Sequence, residues 1–376
     1  MRFRRSAPVT IVVAIFIVIA ATTFLSSRLF SDMTDAVEAD QFKMMQAIAE
    51  SAIRDAENRA LGRAELIADM PEVRRLFAVG DRDGLLAELS AAFANQKARH
   101  GVDQAQFHTA AAISFLRLHD PKTFGDDLTT TRPMVVAANR ERQPLKGIAI
   151  ARNGPGIFGI ALMNDPSGKH VGSFEIGMNL APILSSIKTT YGVDLAFFAV
   201  EQTLRQFAPG ADPERLGEQN RVGRYIRFET TNSQLMAALA GPDDIAVVDE
   251  PINYVREVNG FAHGVVVIPI NNSAGTTLGL MAISSDFSGS RAAVGITLIW
   301  QAVLGLVAIL LLSGLVIIVL RGFLLRPLDV LSDHFKAVHT GAPMDEIPGV
   351  EHFPEELHPF VGLYDRIRAR RRDAAK

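Results

Sequence analysis

The stretch Gly147–Met178, GIAIARNGPGIFGIALMNDPSGKHVGSFEIGM, decides how this chain folds. Three short β-prone runs are separated by NGPG and NDPSGK, both built from the residues that turns demand, so the stretch reads as an antiparallel meander. Inside it, Gly154–Gly159 is spelled GPGIFG, the letters of the dinucleotide fingerprint G-x-G-x-x-G. That fingerprint needs a helix directly after it, with its N-terminus facing the pyrophosphate. Here the β-prone IALM follows, and Pro155 removes an amide that a phosphate cradle would use. The glycines are therefore expected to serve a turn and close strand packing, with no nucleotide cofactor.

Working outward, Asn253–Phe287 (NYVREVNGFAHGVVVIPINNSAGTTLGLMAISSDF) repeats the pattern, with Asn259-Gly260 as a hairpin signal. The pairs Gly168/Gly172 and Gly275/Gly279 bracket the approach to the last strand of each meander. Two modules of one architecture in tandem follow from this. Asp194–Val200 and Tyr225–Thr230 supply early strands of the second.

Upstream, residues 28–70 contain no proline before the end of the run and carry Met33, Val37, Met44, Ile48, Ala52, Ala56, Leu61 and Ile67 at helical spacing. This is a helix of roughly 60 Å at 1.5 Å per residue, whose stripe packs on its own domain, on a second copy, or on both. A second helix is expected from Arg82 to about Arg99 after the Gly80-Asp81 break.

The uncharged runs Ser6–Ser27 and Ala292–Leu320 are each long enough to cross a hydrocarbon core of roughly 30 Å. Arg2, Arg4 and Arg5 precede the first and Arg321 and Arg326 follow the second, so both termini are expected to be cytoplasmic. The net charge of −3 and the lack of a basic stripe argue against nucleic acid. With no cysteine, disulfides and thiolate chemistry are excluded. No H-E-x-x-H, G-x-S-x-G or P-loop occurs, and the histidines lack metal-ligand spacing, so neither a metal nor a catalytic site is expected.

The order Phe107-His108, Ser114-Phe-Leu-Arg117, Gly125-Asp-Asp-Leu128 and then Arg132 before an apolar run resembles the distal module of one double Cache receptor subgroup, dCache_3-like. The resemblance implies an α+β chain: two tandem PAS-like Cache modules with antiparallel sheets, on a long N-terminal helix, flanked by two transmembrane helices. The corresponding division is 1–6 cytoplasmic, 7–27 first span, 28–180 long helix with the membrane-distal module, 181–291 membrane-proximal module, 292–320 second span, and 321–376 a cytoplasmic segment. Relatives often carry Glu where Ala149 stands and Arg where Phe158 stands, so ligand choice is expected to differ on this strand pair.

Arg117 and Arg132 are the leading ligand-binding candidates. An arginine in an apolar run needs a carboxylate, supplied either by the protein (Asp126, Asp127 or Glu175) or by a ligand, whose carboxylate its fork suits. His108, Ser114 and Glu175 join them, His108 being equally readable as a partly buried capping histidine. Phe115, Phe124 and Phe158 are read as apolar walls or as plain core. Adjacent Asp126 and Asp127 read as turn and N-cap chemistry rather than paired acids.

After the second span, Leu328, Leu331, Phe335 and Val338 mark one short amphipathic helix and Leu357, Phe360, Leu363, Tyr364 and Ile367 another. With EELHPFVGLYDRI they resemble a HAMP relay, with Pro327, Gly341 and Glu356 as relay positions. The sequence stops at Lys376, where a receptor would pass into an output domain. The expected function is a bacterial inner-membrane sensor of a small, anionic extracytoplasmic solute, homodimeric, signalling to a kinase, cyclase or chemotaxis component. A membrane-anchored adaptor for a protein partner is the alternative, and an extracytoplasmic enzyme a weaker one.

Overall fold

In the computed structural model the described residues are 3–272, 275–340 and 342–374; Arg2, Gly341 and Lys376, which figure in the sequence reading, lie outside them. Contacts divide the chain into a unit running from Ala36 to Arg291 and a second formed by the described residues up to Asp35 and from Ala292 on.

In the first unit the elements run α1 (Phe3–Ala68, which begins outside the unit), α2 (Pro71–Ala78), α3 (Arg82–His100), β1 (Val102–Thr109), β2 (Ser114–Arg117), α4 (Pro133–Glu141), β3 (Leu145–Ala151), β4 (Gly154–Asn164) and β5 (His170–Asn179). They continue as α5 (Leu180–Tyr191), β6 (Asp194–Val200), α6 (Glu201–Phe207), β7 (Arg221–Val222), β8 (Tyr225–Thr230), α7 (Ser233–Leu239), β9 (Ile252–Val258), β10 (Phe261–Asn271) and β11 (Thr277–Asp286). The strands form two antiparallel sheets in the orders β2-β1-β5-β4-β3 and β7-β8-β6-β11-β10-β9. Without β7 the orders are the same, strand for strand, so the two modules share one topology.

The paired glycines show the repeat in detail. Gly168 and Gly275 have φ of +89° and +80°, a backbone state glycine adopts without steric cost. A Cβ on Gly172 would lie 2.1 Å from the carbonyl oxygen of His108, and one on Gly279 lies 2.2 Å from that of Phe198. Both hairpins shift register at the same place, after Met163 and after Ile270. Asn259 and Gly260, at φ +54° and +80°, make the two-residue turn between β9 and β10 that their sequence signals.

One apolar core lies between α1, α5 and the inner faces of both sheets, with Phe107, Phe174, Ile157, Phe197 and Ile283 among its buried members. The outer face of the first sheet is covered by α4 through Met134, Val135 and Ala138. The outer face of the second is covered by α7 through Met236 and Leu239.

The buried stripe of α1 matches the expected one only in part, at Ala56. Below Met45 it is a ladder of alanines, Ala49, Ala56, Ala60, Ala64 and Ala68, with the expected Ile48, Ala52 and Ile67 packed against it half-buried, while Met33, Val37 and Met44 are exposed. Close approach is the reason: a Cβ on Gly159 of β4 would fall 2.1 Å from the backbone nitrogen of Leu61. The last glycine of GPGIFG thus lets the strand touch the helix backbone, and small side chains on the helix are its counterpart.

In the second unit, α1 and α8 (Ser288–Val319) are long and apolar enough to cross a membrane. Their side chains, Ile17, Phe24, Leu311 and Ile318 for example, are largely exposed, as a lipid-facing surface requires. A π-helical turn, Leu320–Leu325, leads into α9 (Arg326–Thr340), and α10 (His358–Ala374) follows a connector. Leu331, Ile347, Val361 and Tyr364 form a small core there, with the Tyr364 hydroxyl donating to the Asp345 carbonyl at 2.9 Å. Phe360 and Leu363, assigned to the apolar stripe from sequence, are 53% and 45% exposed, so the inward face of α10 is rotated toward Val361 and Tyr364. Pro327 is buried at the start of α9, and Glu356 is exposed in a 3-10 turn.

Candidate functional site

Strand β1 alternates in character. Ala105 and Phe107 enter the core toward α1, so Gln104, Gln106 and His108 face the other way. Register carries that face across the sheet: Gln106 stands between Arg117 of β2 and Glu175 of β5, and His108 between Ser114 and Ser173. On β4, Ile160 pairs with Glu175 and Phe158 with Gly177. A Cβ on Gly177 would come within 2.6 Å of the Phe158 ring, so glycine makes room for that ring. His108, Ser114, Arg117, Phe158 and Glu175 are thereby gathered on one face, against which α4 packs.

Arg132 sits at the N-cap of α4, whose first residue is Pro133, a residue suited to that place. Its guanidinium donates to Glu175 Oε2 at 2.5 Å and lies 4.8 Å from the centre of the Phe158 ring. Arg117 donates through both terminal nitrogens to Asp126, at 2.7 and 2.6 Å, and also to the Thr123 carbonyl at 2.9 Å. Of the carboxylates open to it, Arg117 therefore takes Asp126. Asp127 accepts from the Thr129 amide at 2.8 Å, a turn contact, and Asp126 caps no helix.

Behind these lies a buried polar chain. Gln106 donates to the Ser114 hydroxyl at 2.8 Å, Asn139 of α4 donates to Ser173 at 2.8 Å, and His108 Nδ1 is 3.2 Å from the same Ser173 oxygen. Complete burial drives the His108 pKa well below the ordinary histidine value, and the positive charges of Arg132 and Arg117 push the same way. Its imidazole is neutral. The hydrogen bonds from Arg117 hold the Asp126 carboxyl below the usual carboxylate range.

A cavity of about 340 Å³ opens on this face, bordered by Gln104, Gln106, Arg117, Asp126, Thr131, Arg132 and Arg152 from the first module and by Gln206, Phe207 and Pro209 from the second. Its size falls within the range of small-molecule sites. Of the expected residues, Arg117 and Arg132 line it. His108, Ser114 and Glu175 stand behind that lining, and Phe158 borders a neighbouring cavity of about 270 Å³. Two do not join. Phe115 packs edge-on against Phe77 at 5.1 Å, on the helix side of the sheet, because the β1–β2 pairing shifts register there and leaves Phe115 without a residue opposite it. Phe124 is exposed beneath the Arg82 guanidinium, 3.6 Å from its ring centre.

Gln104, Gln106, Arg152 and Gln206 were not singled out from sequence. The alternation Gln104-Ala-Gln106-Phe-His108 carried the signal for the first two. Arg152 and Gln206 come from a turn and from another module, which no local pattern links. The walls mix arginines with aspartates and amides, an arrangement for holding a polar solute by several hydrogen bonds. Among the described residues, no group of three or more His, Asp or Glu side chains could hold a metal ion.

A family model, dCache_3, the double sensory domain of two-component sensor kinase, matches residues 43–250, more than half of the 376-residue chain. No curated protein sequence matches. Among solved structures, an extracellular ligand-binding receptor from Desulfohalobium retbaense is similar at 15% identity and TM-score 0.38, over 65% of this chain and 40% of its own, so the chain spans well under half of that receptor. The sensory domain of a Campylobacter jejuni chemoreceptor with isoleucine bound is similar at 11% identity and TM-score 0.37, over 70% of this chain and 96% of its own. The ligand-binding domain of a Pseudomonas aeruginosa amino acid chemoreceptor in complex with GABA gives 13% and 0.37, over 68% and 99%.

Proposed function

The chain belongs to the dCache_3 family of double sensory domains, and from that premise we propose that it receives a small extracytoplasmic solute and passes the event across a membrane. The observation that supports this reading best is the polar cavity on the outer face of the first sheet, where three arginines, three aspartates and three glutamines converge. A solute with a carboxylate and at least one hydrogen-bond donor fits those walls. Arg132, Arg117 and Arg152 offer the cationic contacts, and Asp126 with the glutamines offers the acceptors.

In this reading α1 and α8 cross the bacterial inner membrane with both termini cytoplasmic, and the two modules, 28–180 and 181–291, lie in the periplasm. Binding acts on whichever arrangement of the modules it favours, since a ligand shifts an equilibrium only by its differential affinity. The cavity wall includes Gln206 and Phe207 of α6, so solute contacts reach both modules at once. The change then passes along α8 to the HAMP-like segment with Pro327, Gly341 and Glu356, in a homodimer, and on to a kinase, cyclase or chemotaxis component. No catalysis is part of this proposal.

A thermal-shift screen of the purified chain against small metabolites tests it. A carboxylate-bearing solute that raises the midpoint in wild type, and not in Arg132→Ala, is the expected result.

A further inference from the structure

A larger cleft of about 660 Å³ lies beside the polar cavity, bordered by α4, by the four consecutive residues Gly147–Ile150 of β3, and by α6 with Leu278 of the second module. Three features of it point to one kind of occupant. First, β3 is the edge of its sheet, and among the described residues no hydrogen bond from outside the sheet reaches the backbone of residues 146–150. In an antiparallel edge strand every second residue turns both its N–H and its C=O outward, a ready template for another extended chain. Second, apolar side chains, Met134, Val136, Phe207 and Leu278, stand on its walls among uncharged polar ones such as Thr131, Gln202, Thr203 and Thr276. Third, among the described residues the only charged side chains on its border are Arg132 and Arg140. Arg132 commits one of a guanidinium's five donors to Glu175, and Arg140 has only an exposed pair with Glu141, which competes weakly for it.

We propose that this cleft binds a short extended peptide with a free C-terminal carboxylate, which adds as a strand to the edge of β3. Main-chain hydrogen bonds to the edge give affinity, the apolar side chains on the walls take its alternate side chains, and the arginines take its terminus. An alkyl chain alone leaves the outward backbone groups of β3 unsatisfied, which is the reason to prefer a peptide. The proposal concerns binding in a space distinct from the polar cavity, although the two share Thr131, Arg132, Gln206 and Phe207 on their borders.

The test uses the full chain in nanodiscs, with trivaline and trialanine as probes, each also as its C-terminal amide, and octanoate as a non-peptide control. The free-acid tripeptides bind and raise hydrogen-exchange protection within Gly147–Ile150, while amidation weakens binding by about tenfold or more, as expected for loss of a charged contact. Ala137→Trp, which fills the cleft from a half-buried helix position, and Arg140→Glu, at the surface, each weaken binding similarly. Arg117→Ala, which alters the polar cavity alone, leaves peptide affinity within about twofold. Octanoate binding without tripeptide binding overturns the proposal, as does the absence of binding by any probe. Tripeptide binding lost in Arg117→Ala but kept in Ala137→Trp also overturns it, because the peptide then occupies the polar cavity.

Discussion

Arg132 donates a hydrogen bond to Glu175 across 2.5 Å, with 8% of the arginine side chain and 1% of the glutamate side chain exposed. Neither charge has water to fall back on, so each depends on the other. Breaking such a pair from one side costs about 3–5 kcal/mol, because a buried charge is left alone. Arg132→Ala and Glu175→Ala are each expected to lower stability by that amount in urea unfolding of the purified chain. The double replacement Arg132→Met with Glu175→Leu should recover most of the loss, since an apolar pair of similar volume needs no compensation.

Gly159 makes a second prediction. Its absent side chain lets β4 lie on the backbone of α1, where a Cβ would stand 2.1 Å from the Leu61 nitrogen. Gly159→Ala forces strand and helix apart, an overpacking that costs about 1–3 kcal/mol. Gly62, on the same helix, has nothing within 4 Å of a built Cβ. Gly62→Ala should therefore stabilise by about 0.5–1 kcal/mol through helix propensity. Thermal midpoints moving in opposite directions check both.

These glycines also show what the sequence disclosed. The meanders were legible because β-prone runs and turn residues alternate locally, and the paired glycines Gly168/Gly172 and Gly275/Gly279 marked the repeat. What Gly159 packs against was not legible, since Leu61 lies far upstream and helical spacing cannot say which stripe of α1 meets a sheet. For the same reason the predicted stripe included exposed Met33, Val37 and Met44 and passed over Ala60 and Ala64. In the site, Arg117 and Arg132 stood out as charges in apolar surroundings. Phe115 was misplaced because a register shift reversed its face, and Gln206 was missed because only the docking of two modules brings it near.

His108 sets the pH response. Its folded pKa lies well below the ordinary histidine value of 6.5, so the unfolded chain binds the extra proton first as pH falls. The sign follows: this contribution is fully present above about pH 6.5 and is lost below it, at up to about 1.4 kcal/mol per pH unit. His119 and His170 are lowered too, by burial first, and act in the same direction. Stability measured between pH 7.5 and 5 is expected to fall, and His108→Gln should flatten the slope by about one proton's worth. An unchanged slope in that variant would mean His108 can be protonated without unfolding.

Arg117 and Asp126 probe binding rather than stability. Asp126 is 44% exposed, so its loss should cost the fold about 1 kcal/mol or less. Asp126→Asn weakens the bidentate clamp and frees the Arg117 fork toward the cavity. Affinity for an anionic solute is expected to rise or hold in Asp126→Asn and to fall by about tenfold or more in Arg117→Ala, a difference read by titration calorimetry.

The most direct measurement is a calorimetric titration of the best-stabilising solute against the wild-type chain, Arg117→Ala and Gln106→Leu. A solute held in the polar cavity binds the wild type and loses about tenfold or more in each variant, since each removes a hydrogen-bonding group from its wall. Equal affinity in all three chains would contradict a ligand site on the outer face of the first sheet.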